Sequence, residues 1–175
     1  MTDRSGTSRR HHARDAAAAV VVVFGWCWGV CGWGADSGTE PPSAHTSKQL
    51  PIAGEVFQVA GHTAFLILPA ARPSGAATPW VWYAPTLPGL PGAEEKWMFD
   101  RFLGAGIAVA GIDVGESYGS PEGRARFSAL HAELTRRRGL SEKACLLARS
   151  RGGLMLYSWA AEHPQCVACI AGIYP

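Results

Sequence analysis

The chain has 175 residues, of which 47% are apolar and 17% charged, with a net charge of +2. That length and apolar content provide for one domain with a real core and exclude a disordered polymer. The small net charge, with no basic stripe through the main part of the chain, excludes the electrostatic footprint of a nucleic-acid binder.

Residues 1–15 are polar and basic, with Arg4, Arg9, Arg10 and Arg14 against Asp3 and Asp15. Residues 16–35 carry no charge and end on Gly32, Trp33, Gly34 and Ala35. A basic start, an apolar run and small residues before Ala35 read as an export signal cut before that alanine. Left uncut, the run is long enough to anchor in a bilayer, and Trp26, Trp28 and Trp33 suit an interface. A buried helix is the poorer reading, because the Gly-rich second half is a bad helix former. The chain is thus expected to be exported or membrane-anchored. Residues 36–50, rich in Ser, Thr, Pro and Gly, read as a linker, and residues 51–175 as the folded domain.

Gly54–Ala60 and Thr63–Leu68 are β-type runs around Gly61 and His62, which predicts an antiparallel hairpin with His62 in the turn. Trp80–Ala84 is an apolar strand that enters a loop dense in Pro and Gly, Pro85–Gly92. A helix is expected over Ala93–Leu103, with Glu94 and Glu95 favourable to its dipole. Gly104-Ala105-Gly106 ends that helix and precedes a strand, so it is not a phosphate-binding fingerprint. Ile107–Ile112 is the next strand and ends at Asp113 before a Gly-rich loop. A helix over Pro121–Arg138 carries Phe127, Leu130 and Leu134 on one face. His131 lies beside that face and reads as structural. Arg136-Arg137-Arg138 reads as favourable charge at a helix C-terminus.

Ala144–Arg149 is a further strand, and Leu154–His163 a helix that stops at Pro164. Cys166–Ile173 reads as another buried strand. Cys145, Cys166 and Cys169 lack partners at zinc spacing and read as small core residues. No metal and no cofactor is implied. The order of elements after the hairpin predicts a mostly parallel sheet with helices on both faces, an α/β class. The loops after its strands would then converge: Pro85–Gly92, Asp113–Pro121 and the turn at Ser150.

Between the strand and helix of that last turn stands Ala148-Arg149-Ser150-Arg151-Gly152-Gly153. A serine at a sharp turn among small residues has the layout of a nucleophile elbow, with Ala148 where glycine is usual. The competing reading is an ordinary helix N-cap. With its context, residues 54–175 resemble the N-terminal part of an α/β-hydrolase. The Ser-x-Gly-Gly ending is similar to prolyl-oligopeptidase-like peptidases and esterases, and the Ser-Arg pair more loosely to glucuronoyl-type carbohydrate esterases. The resemblance implies that Ser150 attacks an ester or amide carbonyl of a small molecule or peptide and forms an acyl-enzyme. It implies oxyanion N–H groups from Arg151 and from Thr86 or Leu87. Arg149 and Asp113 are further candidates for substrate contact, with a solvated arginine at the rim as the plain alternative. Oligomeric state is not legible.

The family order is serine, then acid, then histidine, and the one histidine after Ser150 is His163, at the far end of the helix. Asp113 precedes the serine and is a poor acid. The chain is therefore expected to be a truncated hydrolase, impaired as it stands, with its sixth strand left as a sheet edge. The alternatives are a non-catalytic fragment derived from a hydrolase and an anchored binding module.

Overall fold

The structure, a computed structural model, describes residues 48–72 and 74–175. The expected export signal or anchor at 16–35, and the linker as far as residue 47, lie outside the described residues. Lys48, placed in the linker by its composition, is buried, and Leu50 packs onto the domain.

The sheet has six strands: β1 (Glu55–Val59), β2 (His62–Ile67), β3 (Trp80–Ala84), β4 (Ala108–Ile112), β5 (Ala144–Arg149) and β6 (Val167–Ile173). Their order is β1-β2-β4-β3-β5-β6. β1 and β2 pair antiparallel, β2 joins β4 antiparallel, and β4, β3, β5 and β6 run parallel. The sheet is thus the mostly parallel one expected. The hairpin turn is made by Ala60 and Gly61, at φ 48° and 76°. A two-residue turn with both φ values positive matches the strand twist. It therefore moves His62 out of the turn and into β2, opposite Val59.

Three helices cover the sheet: α1 (Lys96–Gly104), α2 (Pro121–Arg137) and α3 (Gly152–Glu162). The continuous apolar strands are explained by burial on both faces, since successive side chains point to opposite sides. Trp80, Trp82 and Ala84 of β3 join a core with Phe127 of α2 and Trp159 of α3. Val81 and Tyr83 of the same strand join a second core with Phe65 and with Phe99 of α1. Ser120 caps α2 by accepting from Gly123 N at 3.2 Å, and Pro121 fills the first turn. His131 is packed beside Trp82, with its Nε2 2.8 Å from Glu142 O.

Several residues are used differently from their sequence reading. Arg138 does more than complement a dipole: it pairs with Glu55 at 2.5 Å and Glu133 at 3.2 Å, and covers the Phe57 ring. β6 is mostly exposed rather than buried, because it is the last strand of the sheet and only β5 pairs with it. Cys169 is exposed for the same reason, and Cys166 falls in a short 3-10 turn, Pro164–Cys166, before the strand. Cys145 is half-buried and stands opposite Cys169 in the β5–β6 register. Burial, and then the neighbouring Cys169, push the Cys145 thiol up to about 11.

Candidate active site

β3, β4 and β5 are parallel, so the loops that follow them leave the same edge of the sheet. The sharpest feature there is Ser150. It is exposed, stands between β5 and α3, and has φ 50°. A left-handed backbone at a non-glycine residue costs on the order of 1 kcal/mol or more and must be imposed by its surroundings. Two hydrogen bonds hold it: Ser150 N donates to Ile173 O at 2.9 Å, and Gly153 N donates to Ser150 O at 2.9 Å.

The small residues of the motif have separate reasons. A Cβ on Gly152 would lie 2.2 Å from Ala84 O and 2.7 Å from Pro85 N. Only glycine lets the start of α3 approach the end of β3 so closely. Ala148 is fully buried in β5, in register with Ala84 on one side and Gly172 on the other. Its methyl is accommodated because both neighbours are small, which accounts for alanine in the position usually held by glycine. Arg151 is the N-cap of α3, where a backbone N–H has no partner inside the helix and the dipole favours negative charge. Its guanidinium pairs with Glu116 at 3.0 Å.

The loop after β3 is held from several sides. Thr86 is 2% exposed, and its hydroxyl donates to Tyr83 O at 3.2 Å. Gly111 of β4 makes room for it, since a Cβ there would sit 2.6 Å from Thr86 Oγ1. Leu87 is half-buried, and its carbonyl accepts from Leu90 N at 2.9 Å and from Lys48 Nζ at 2.7 Å. Further along, Glu95 Oε2 accepts from Gly92 N at 2.7 Å. Glu95 is 3% exposed. Its Oε1 accepts from Tyr83 OH at 3.0 Å and from Arg149 Nη1. Burial pushes the Tyr83 phenol up to about 12. The Tyr83 hydroxyl and then the Glu95 charge raise the pKa of Arg149. The Arg149 guanidinium, 40% exposed, is therefore committed to a protein carboxylate.

Asp113 follows β4 and forms an ion pair with Lys48 at 2.7 Å. The Lys48 side chain is 2% exposed and that of Asp113 21%. Burial raises the Asp113 pKa and lowers that of Lys48, each shift opposed by the partner. The two line a cavity of about 670 Å³ with Thr63, Pro88 and Lys96. Ser150 lines a different cavity, of about 500 Å³, with Arg151, Leu154, Tyr157 and Tyr174. The fold thus brings Ser150, Arg151 and the end of β3 together, and leaves Asp113 in a neighbouring cavity.

Neither His62, His131 nor His163 lines the Ser150 cavity. His163 packs at a tilt against Trp159 and has Nε2 3.3 Å from Ser128 Oγ. Lys48 and Gly111 were not singled out from the sequence, and Glu95 was read only as an acid favourable to a helix dipole. A carboxylate three residues after Gly92, next to an apolar helix, was the available sign for Glu95. Nothing local marks Lys48.

No protein-family model matches the sequence, and no curated protein matches it. Solved structures do. Oligopeptidase B from Trypanosoma brucei is similar at 15% identity and a TM-score of 0.53, over 69% of this chain and 20% of that one. A puromycin-hydrolysing peptidase from Mycobacterium tuberculosis is similar at 15% identity and a TM-score of 0.54, over 69% of this chain and 22% of that one. A cold-adapted esterase from an Arctic intertidal metagenomic library is similar at 17% identity and a TM-score of 0.50, over 68% of this chain and 56% of that one. The chain spans about a fifth of the length of the two peptidases and a little over half of the esterase. With the strand order and the Ser150 turn, these likenesses identify the described residues as an incomplete α/β-hydrolase fold.

Proposed function

We propose that this chain carries the nucleophile and oxyanion half of a serine hydrolase that cleaves an ester or amide bond. The observation that supports it most is Ser150 itself: a serine at φ 50° between a parallel strand and a helix, with Gly152 against the end of β3. In this reading Ser150 Oγ attacks the substrate carbonyl carbon while its proton passes to a base. The negative charge on the tetrahedral oxygen is met by Arg151 N–H and a second N–H from Thr86 or Leu87. The proton then goes to the departing alcohol or amine, leaving an acyl-enzyme that water hydrolyses. Leu154, Tyr157 and Tyr174 offer apolar surface to a small ester or peptide substrate.

A serine without a base is a weak nucleophile, and none of the described histidines lines this cavity. The chain by itself is therefore assigned slow reactivity. That same observation favours the second reading, a non-catalytic binding module built on a hydrolase fold. Residues 1–35 are assigned to export or membrane anchoring on composition alone. Among the described residues no helix is long and apolar enough to cross a membrane.

The test is a fluorophosphonate serine probe on the folded chain, with imidazole added as an external base. Slow labelling that imidazole accelerates and Ser150→Ala abolishes is the expected result. Labelling no greater than that of Ser150→Ala, with imidazole present, overturns the hydrolase reading in favour of the binding module.

A further inference from the structure

We propose that Glu95 is a positioning residue that couples the Pro85–Gly92 loop to the elbow, by holding Gly92 N with one carboxylate oxygen and Arg149 with the other. Its importance for reactivity rests on the reading of Ser150 as a nucleophile; the mechanical coupling does not.

The argument begins with burial. A carboxylate that is 3% exposed is expensive to bury unless both of its oxygens accept hydrogen bonds and a counter-charge is present. Glu95 meets these conditions only by joining three separate pieces of chain. Oε2 takes Gly92 N, which closes the loop that follows β3. Oε1 takes Tyr83 OH, on β3 itself, and Arg149 Nη1, on the last residue of β5. Arg149 immediately precedes Ser150, so its ion pair with Glu95 fastens the chain at the base of the turn. Displacing either the loop or the elbow strips a donor from a buried charge, so the two are expected to hold position together. The oxyanion donors assigned to Thr86 or Leu87 lie on the loop, and Arg151 and Ser150 lie on the elbow. Their relative placement is what stabilisation of a tetrahedral oxyanion demands.

Glu95→Gln keeps the shape and one carbonyl oxygen, which can serve Gly92 N, but puts an NH2 donor where Oε1 accepted and removes the charge that holds Arg149. Arg149→Met, at a half-exposed side chain, removes the other end and tolerates folding more readily. The full 175-residue chain and these variants, with the double variant, are compared by hydrogen exchange of the Pro85–Gly92 and Arg149–Gly153 amides. Each single variant is expected to speed exchange in both segments by about tenfold, and the double variant to add nothing further. The maximal rate of fluorophosphonate labelling is expected to fall by a similar factor with probe affinity unchanged. Additive effects, or faster exchange confined to Pro85–Gly92 in Glu95→Gln or to Arg149–Gly153 in Arg149→Met, overturn the coupling. If the unsubstituted chain is not labelled, the reading of Ser150 fails, while the exchange data still decide the coupling.

Discussion

Ser150 and Asp113 follow parallel strands, at the same edge of the sheet, yet they are held in opposite ways. Ser150 is held by backbone: a positive φ, two main-chain hydrogen bonds and a glycine that allows close approach. Asp113 is held by a side-chain ion pair with Lys48, which is distant in sequence and buried. The first arrangement exposes its polar atom to a cavity, and the second consumes it. An exposed polar group in a costly conformation, with no partner that explains it, is the feature that points to chemistry. A buried pair is first of all a structural fastening.

The most damaging way to break the first arrangement is Gly152→Ala. Its methyl would overlap backbone atoms of Ala84 and Pro85, which cannot rotate away. We expect a loss of about 3 kcal/mol or more, measured by urea denaturation, or failure to fold. A loss below about 1 kcal/mol would mean that β3 and α3 are not in contact there.

The second arrangement is broken by Asp113→Ala, which leaves the Lys48 ammonium buried and unpaired. A loss of about 3 kcal/mol is expected, because the orphaned charge and not the missing attraction sets the cost. Lys48→Met combined with Asp113→Ala should recover most of it. If the double substitution is as unstable as Asp113→Ala alone, the pair is not the fastening described.

Tyr83 sharpens the comparison from the side of pH. Burial raises its pKa from 10.0 to about 12, so the folded state binds the phenolic proton more tightly than the unfolded state. Its contribution is therefore fully present below pH 10 and is lost as pH rises through about 12. The shift corresponds to a decline on the order of 2–3 kcal/mol. Tyr83→Phe should lack that decline when unfolding is followed by denaturant titration across the same pH range. An identical alkaline decline in the variant would assign it to other groups.

The smallest effect is the most informative about function. Ser150→Gly removes the hydroxyl and also the steric cost of a positive φ. It should stabilise the fold by about 1 kcal/mol in the same denaturation assay while abolishing probe labelling. Unchanged or reduced stability would mean that the serine side chain supports the fold, as a cap does.

Much of the sheet was legible because its signals are local. Apolar runs of strand length, separated by helices with an apolar face, define parallel strands buried on both sides whichever order they finally take. The strand–turn–helix around Ser150 was legible for the same reason, since strand, serine, small residues and helix are contiguous. The further role of Glu95, beyond an acid favourable to a helix dipole, was not legible, because its partners Tyr83 and Arg149 lie on β3 and β5. β6 lies at the sheet edge as expected, but its apolar composition read as burial, while burial depends on what packs beside it.

By itself, then, the sequence determined the α/β class, the hairpin, the position of Ser150 and the need for small residues around it. Each of these follows from backbone sterics and side-chain alternation within a short window. Only the tertiary structure decided the strand order, the separation of Asp113 from the Ser150 cavity, and the commitment of Arg149 to Glu95. The first is a matter of which strands pair and the other two of charge meeting charge, and both sets of partners are fixed by three-dimensional proximity, which no spacing along the chain encodes.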